Sequence, residues 1–133
     1  MEMPLPMTMS MPETKSEPLA GLKVLVVEDE AIISFLIEDM LLSLGCASVA
    51  HAGTVKQAVN LLSEQTPDAA VLDVNLAGEP GYAVAEKLEE DGIPFVFATG
   101  YGGAGLPARW RERPVIQKPF TLESLEAALR TAF

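Results

Sequence analysis

The chain is 133 residues long, which fits one domain of ordinary size, and 49% of its residues are apolar, enough for one core. Its 19 acidic and 9 basic side chains give a formal charge of −10. A polyanion of that kind repels nucleic acid and anionic lipid, and no clustered basic stripe reverses this locally, so no nucleic-acid partner is expected. No apolar run approaches the roughly 20 residues that a membrane span needs, and the N-terminus lacks the basic-then-apolar profile of a secretory signal. The single cysteine, Cys46, cannot form an internal disulfide and reads as a small buried residue. These features predict a soluble, cytoplasmic protein with no membrane contact.

Residues 1–20 hold four prolines and five methionines without helical or strand periodicity, and read as a disordered N-terminal tail ahead of a domain over 21–133. Leu22 to Val27 is a β-branched run ending in Glu28-Asp29-Glu30, which predicts a buried strand. Ile32, Ile33, Leu36, Ile37, Met40, Leu41 and Leu44 recur at helical spacing until Gly45. Ala47 to Ala52 form a second strand, and Thr54 with Gln57 is a capping-box start for a helix carrying Ala58, Leu61 and Leu62. Ala69 to Asp73 is the third strand, followed by a loop to Pro80 and a helix from about Gly81 to Glu90. Ile93 to Ala98 is the fourth strand, leading to a glycine-rich loop over 100–107 and a weak helical stretch from Ala108 to Glu112. Val115 to Gln117 is a short fifth strand, after which Lys118-Pro119 precedes a last helix that opens at Thr121 and buries Leu122, Leu125 and Leu129.

Strand and helix thus alternate five times, which implies a parallel sheet covered on both faces; 133 residues are too few for an eight-fold barrel. By analogy the fold class is α/β, a flavodoxin-like, doubly wound five-stranded parallel sheet of order 2-1-3-4-5. In such a sheet the ligand crevice lies beyond the carboxyl ends of the strands. Those ends carry Glu28 and Asp29, Asp73, Thr99 and Lys118. Three carboxylates converging there would repel each other by on the order of 4 kcal/mol per close pair at an effective dielectric of about 20. A cation is therefore expected among them, and Mg²⁺ is the economical choice, being a hard ion that takes one or two carboxylates together with phosphate oxygens. Asp73 could then attack a phosphoryl centre, with Lys118 as a fixed positive charge and Thr99 as a hydroxyl donor. Asn75, two positions after Asp73, could add its backbone carbonyl to the metal shell.

The acidic pair, Asp73, Thr99 and Lys118-Pro119 stand at intervals of 44, 26 and 19 residues. In these motifs the chain resembles the receiver domain of two-component response regulators over residues 22–133. Phe97-Ala98-Thr99-Gly100-Tyr101 further resembles the FAT GUY subgroup, whose members are often single-domain. The resemblance implies a CheY-like fold, Asp73 as phosphoacceptor, and Mg²⁺ bound by Glu28, Asp29, Asp73 and the Asn75 carbonyl. It implies that Thr99 and Lys118 contact the phosphoryl group, delivered by a sensor histidine kinase or a phosphotransfer protein. With no effector domain expected after the last helix, output would pass through contacts with an unknown downstream protein, by a monomer or weak dimer.

One position departs from the family pattern. Most receivers carry an aromatic residue three positions before the lysine, where this chain has Val115. Tyr101 is the candidate switch residue in its place, within a Gly100–Gly105 loop expected to be mobile and to order on phosphorylation or on binding a partner. Lone His51 falls at the end of an edge-side strand, not on the exposed helix face of a phosphohistidine module. Trp110, between Arg109 and Arg111, reads as a surface anchor or packing residue and, given the net charge, not as a nucleic-acid platform. A phosphatase of the haloacid-dehalogenase type would carry a second Asp where this chain has Asn75, which cannot shuttle a proton, so a signalling phosphoacceptor is favoured over an enzyme. The alternative is a phosphorylation-independent pseudo-receiver.

Overall fold

The apolar spacing resolves into alternating strands and helices. The computed structural model describes residues 19–76, 78–100 and 106–133. The expectations for the tail up to residue 18 and for the glycine loop with Tyr101 lie outside them. Among the described residues the order is β1 (Lys23–Val27), α1 (Ala31–Ser43), β2 (Ser48–Ala52), α2 (Val55–Glu64), β3 (Ala69–Asp73), α3 (Tyr82–Glu90), β4 (Phe95–Thr99), β5 (Val115–Gln117) and α4 (Leu122–Ala132). A two-residue hairpin, Asn75–Leu76 against Glu79–Pro80, lies between β3 and α3, and a short 3₁₀ helix, Ala108–Trp110, precedes β5. The sheet runs β2-β1-β3-β4-β5 with every pair parallel. This is the doubly wound, CheY-like order expected from the sequence.

Side-chain alternation along the strands divides the core into two layers. Leu25, Val27, Ala70, Leu72, Phe95 and Phe97 pack with Ala58 and Leu62 of α2, Val84 and Leu88 of α3, and Trp110. Val24, Val26, Ala69, Val71, Val96, Ala98 and Ile116 face the other way, onto Ile37 and Leu41 of α1 and Leu125 and Leu129 of α4. β3 and β4 are buried along their full length, as parallel strands with helices on both faces must be.

Several local details differ from the sequence reading. Leu19, assigned to the tail, is 2% exposed and packs in the α1–α4 layer, so the packed chain starts ahead of Gly21. The strand expected from Ile93 starts at Phe95, because the Ile93 N–H still closes the end of α3 on Leu88 O. The stretch expected from Ala108 to Glu112 is a single 3₁₀ turn. At α2, Thr54 Oγ1 accepts from the Gln57 N–H as expected, but the Gln57 side chain reaches back to the Gly53 N–H instead of that of Thr54. At α4, Thr121 and Ser124 form a full reciprocal box, while Leu122 is only half-buried.

α1 departs most. Its apolar stripe is wider than the sheet face available to it: Ile37 and Leu41 are buried with Ser34, whereas Ile32, Phe35 and Leu36 are 76%, 62% and 53% exposed.

Gly81, the N-cap of α3, is a glycine for reasons of space. Its φ of −80° suits any residue, yet a Cβ there would lie 2.5 Å from the Asp73 carbonyl oxygen and 3.1 Å from Leu72 Cδ1. Gly81→Ala is therefore expected to destabilise the fold by about 1–3 kcal/mol, as overpacking does, read from the midpoint of urea unfolding. An unchanged midpoint would contradict this packing.

Candidate functional site

The strand alternation, followed to the ends of β3 and β4 and one residue past β1 and β5, sorts the polar residues. Glu28, Asp73 and Lys118 continue the rows of Val26, Val71 and Ile116, which face α1 and α4. They meet there. Lys118 Nζ lies 2.7 Å from Glu28 Oε1 and 3.1 Å from Asp73 Oδ2. One carboxylate oxygen from each of Glu28, Asp29 and Asp73 lies within 4.8 Å of the others. Thr99, 6% exposed, continues the opposite row, above Phe97 and Phe95.

The remaining oxygens are held by backbone donors. The Glu30 N–H donates to Glu28 Oε2 at 3.1 Å, and the Asn75 N–H donates to Asp73 Oδ1 at 3.1 Å. The Asn75 side chain accepts from the Gly78 N–H and closes the turn that follows. Lys118 leads into a cis peptide bond with Pro119, and its own N–H donates to the Thr99 carbonyl across the β4–β5 pair. Asp29, Asp73, Asn75, Thr99 and Lys118 line an open cleft of about 330 Å³, with Glu30, Val74, Gly78 and Gly100 completing its wall. The described site residues predicted from sequence are thus brought together, with Glu28 buried just beneath that wall. Sequence reasoning missed the Glu30 N–H and Gly81, because backbone donors and close approaches carry no residue-type signature.

The electrostatics of the cluster test the expected ion. Glu28 and Asp73 are buried, Asp29 is exposed, and the ammonium of Lys118 is the one cationic side chain bonded to them among the described residues. Burial pushes the Glu28 carboxyl up to about 7; the hydrogen bond from Lys118 opposes this, and the charge of Asp73 adds to it. Burial alone would lower the Lys118 value, but its bonds to Glu28 and Asp73 outweigh that, so it stays protonated. Three carboxylates and one ammonium leave an excess of negative charge around an open cleft. That donor set, all oxygen, suits a hard divalent cation.

The other residues singled out by sequence fall elsewhere. His51 is exposed on edge strand β2, bridging Ser34 Oγ and Glu38 Oε1 of α1. Cys46 is buried, with its thiol pushed up by burial. Val115 pairs with Phe97 and packs against the α2–α3 layer. No described helix is long and apolar enough to cross a membrane.

A doubly wound sheet with an acidic cluster at its switch point and a lysine at the fifth strand end defines a class of signalling domain. The model of the response regulator receiver domain matches residues 24–130, and the chain belongs to that family. It is 29% identical over 119 residues to a probable chemotaxis protein CheY of Rhizobium etli, covering 84% of this chain and 92% of that one. It is 30% identical over 128 residues to the transcriptional regulatory protein PdtaR of Mycobacterium tuberculosis, covering 93% of this chain. The chain spans 62% of the length of PdtaR, and 44% of a probable transcriptional regulator ycf27 of Guillardia theta. Among solved structures, SdrG of Sphingomonas melonis superposes with a TM-score of 0.76 at 42% identity, covering 84% of this chain and 96% of that one. The anti-anti-sigma factor PhyR of Bartonella quintana gives 0.70 at 32%, covering 84% and 47%.

The raised Glu28 value has a consequence for stability. Between its ordinary 4.5 and about 7, the unfolded chain has lost this proton while the folded chain keeps it. Stability therefore falls as pH rises through that window, by on the order of 3 kcal/mol at most. In chelator-treated protein, the melting temperature should decline from about pH 5 to about pH 7.5. Glu28→Gln should flatten the decline, and Mg²⁺ should reverse most of it at the upper end. A flat wild-type profile would refute the raised proton affinity that burial gives Glu28.

Proposed function

We propose that this receiver domain is a phosphorylatable switch in which Asp73 takes a phosphoryl group from a histidine kinase or phosphotransfer protein. The observation that carries this reading is Lys118 bridging Glu28 and Asp73 beside the exposed carboxylate of Asp29. Glu28, Asp29 and Asp73, with the Asn75 carbonyl, would hold Mg²⁺, which when bound offsets the carboxylate charge and that of the incoming phosphoryl.

The chain's own residues do the rest. Asp73 is oriented by the Asn75 N–H on one oxygen and Lys118 on the other, leaving a carboxylate facing an open cleft. A carboxylate oxygen forms the new bond to phosphorus as the donor's phosphorus–nitrogen bond breaks, and the imidazole leaves with that electron pair. The product is an acyl phosphate. Lys118 would then meet the new charge, and Thr99 would donate its hydroxyl to a phosphoryl oxygen. Asn75, where a phosphatase carries an acid–base group, favours a lasting phosphoryl signal over turnover.

The exposed α1 residues supply a docking face beside this cleft. Ile32, Phe35 and Leu36 lie at i, i+3 and i+4, and a groove of about 250 Å³ between Ile33, Leu36, Met40, Pro119 and Phe120 continues to Lys118. A helix bearing the donor histidine, laid along that face, would carry its phosphoryl group to the cleft.

Acetyl phosphate with Mg²⁺ should add the mass of one phosphoryl group to the intact chain, and Asp73→Asn should abolish the adduct. An adduct that survives Asp73→Asn, or none in the wild type, would defeat the reading. Phe35→Asp should leave acetyl phosphate labelling unchanged while slowing transfer from a purified phosphorylated histidine kinase by about tenfold or more, the loss of one buried aromatic contact. Equal transfer rates would remove α1 from the docking face.

A further inference from the structure

Trp110 is the only tryptophan of the chain and, although flanked by Arg109 and Arg111, is 3% exposed. Its ring stacks on Tyr82 with centroids 6.4 Å apart and an interplanar angle of 11°. Phe97 and Phe95 pack against it with centroids 5.8 and 6.3 Å away and interplanar angles of 74° and 65°. Phe97 and Tyr82 also touch, with centroids 6.3 Å apart.

Two of these neighbours lead back to the cleft by separate routes, one along β4 and one through backbone contacts of Gly81. Phe97 stands two residues before Thr99 on β4, in the same side-chain row. Tyr82 follows Gly81, whose N–H donates to the Val74 carbonyl at 2.8 Å and whose bare α-carbon lies against the Asp73 carbonyl. A shift of Thr99, or of the end of β3, therefore reaches Trp110 through Phe97 or through Tyr82. Val115, the register partner of Phe97, is too short to take part as a ring would.

On its outer side Trp110 anchors a charged surface. The Arg109 guanidinium lies 4.4 Å over the Trp110 ring and bonds Glu86 and Glu89 of α3, while Arg113 bonds Glu89 at 2.7 Å. The segment from Leu106 to Arg113 is thus held by two buried side chains, Leu106 and Trp110, and a fringe of ion pairs to α3. Exposed pairs contribute little each, so the buried side chains, of which Trp110 is the larger, set the position of the segment.

We propose that Trp110 is the positioning residue through which the state of Asp73 is passed to the surface made by residues 106–113 and α3. The inference rests on the phosphoacceptor reading of Asp73 and names the regulation that follows from it. Packed side chains carry such coupling when they have discrete arrangements that the site biases.

As the sole indole, Trp110 reports on its own surroundings. Beryllofluoride with Mg²⁺ should change its emission saturably, and Asp73→Asn should abolish the change. Tyr82→Leu and Phe97→Leu should still take one phosphoryl group from acetyl phosphate, by intact mass, yet lose most of the emission change. Should Phe97→Leu fail to fold, the partly exposed Tyr82 position decides. Amide exchange over residues 106–113 should differ between free and beryllofluoride-bound protein in the wild type and in Trp110→Phe, and lose that difference in Trp110→Leu. Full phosphoryl labelling with unchanged wild-type emission would overturn the role of Trp110 alone. That role also falls if Tyr82→Leu keeps the wild-type emission change, or if Trp110→Leu keeps the exchange difference. The absence of any adduct in the wild type would instead overturn the phosphoacceptor reading, and this inference with it.

Discussion

The chain places more negative charge at one point than its own cations neutralise. Glu28, Asp29 and Asp73 approach within 4.8 Å, and the ammonium of Lys118 is held between two of them. Like charges at such separations repel by on the order of 4 kcal/mol per pair at an effective dielectric near 20, so they are not gathered at no cost. The rest of the molecule is arranged to hold them: a sheet whose central strands are fully buried, helices on both faces, and backbone donors on the carboxylate oxygens that Lys118 leaves free. The burial that fixes Glu28 also lifts its proton affinity, which ties the site to both pH and cations.

Strand alternation does the sorting. Because the β1, β3 and β5 rows that end in Glu28, Asp73 and Lys118 face the α1–α4 layer, the charged groups assemble on that side of the sheet. Thr99 ends a row of rings on the other side. The receiver site thus straddles the sheet edge, with charge chemistry toward α1 and α4 and an aromatic cluster beneath Thr99. The exposed Ile32, Phe35 and Leu36 lie on the α1 side, which we propose meets the phosphoryl donor, and Trp110 lies in the opposite layer, which we propose responds.

Much of this was legible in the sequence, and for identifiable reasons. Short β-branched runs alternating with helical spacing specify a parallel sheet, and a parallel sheet directs attention to its strand ends, where Glu28, Asp73, Thr99 and Lys118 stood. What was not legible depends on tertiary fit. The apolar spacing along α1 could not reveal which positions the sheet would cover, and Ile32 and Leu36 remain exposed. Gly81 looked like a helix start, and its role appears only when the Asp73 carbonyl is seen against its α-carbon. Trp110, between two arginines, read as a surface anchor or packing residue, but its partners Tyr82, Phe95 and Phe97 appear only in the folded chain. Gln57 was read correctly as a capping partner but reaches Gly53 instead of Thr54, a choice set by loop geometry rather than residue type.

Everything at this cleft turns on the clustered carboxylates forming a divalent-cation site. Calorimetric titration of the chelator-treated chain with Mg²⁺ probes that directly. One ion per chain is expected, with binding lost in Asp73→Asn and sharply weakened in Asp29→Asn. Absence of binding, or binding indifferent to both substitutions, would contradict it.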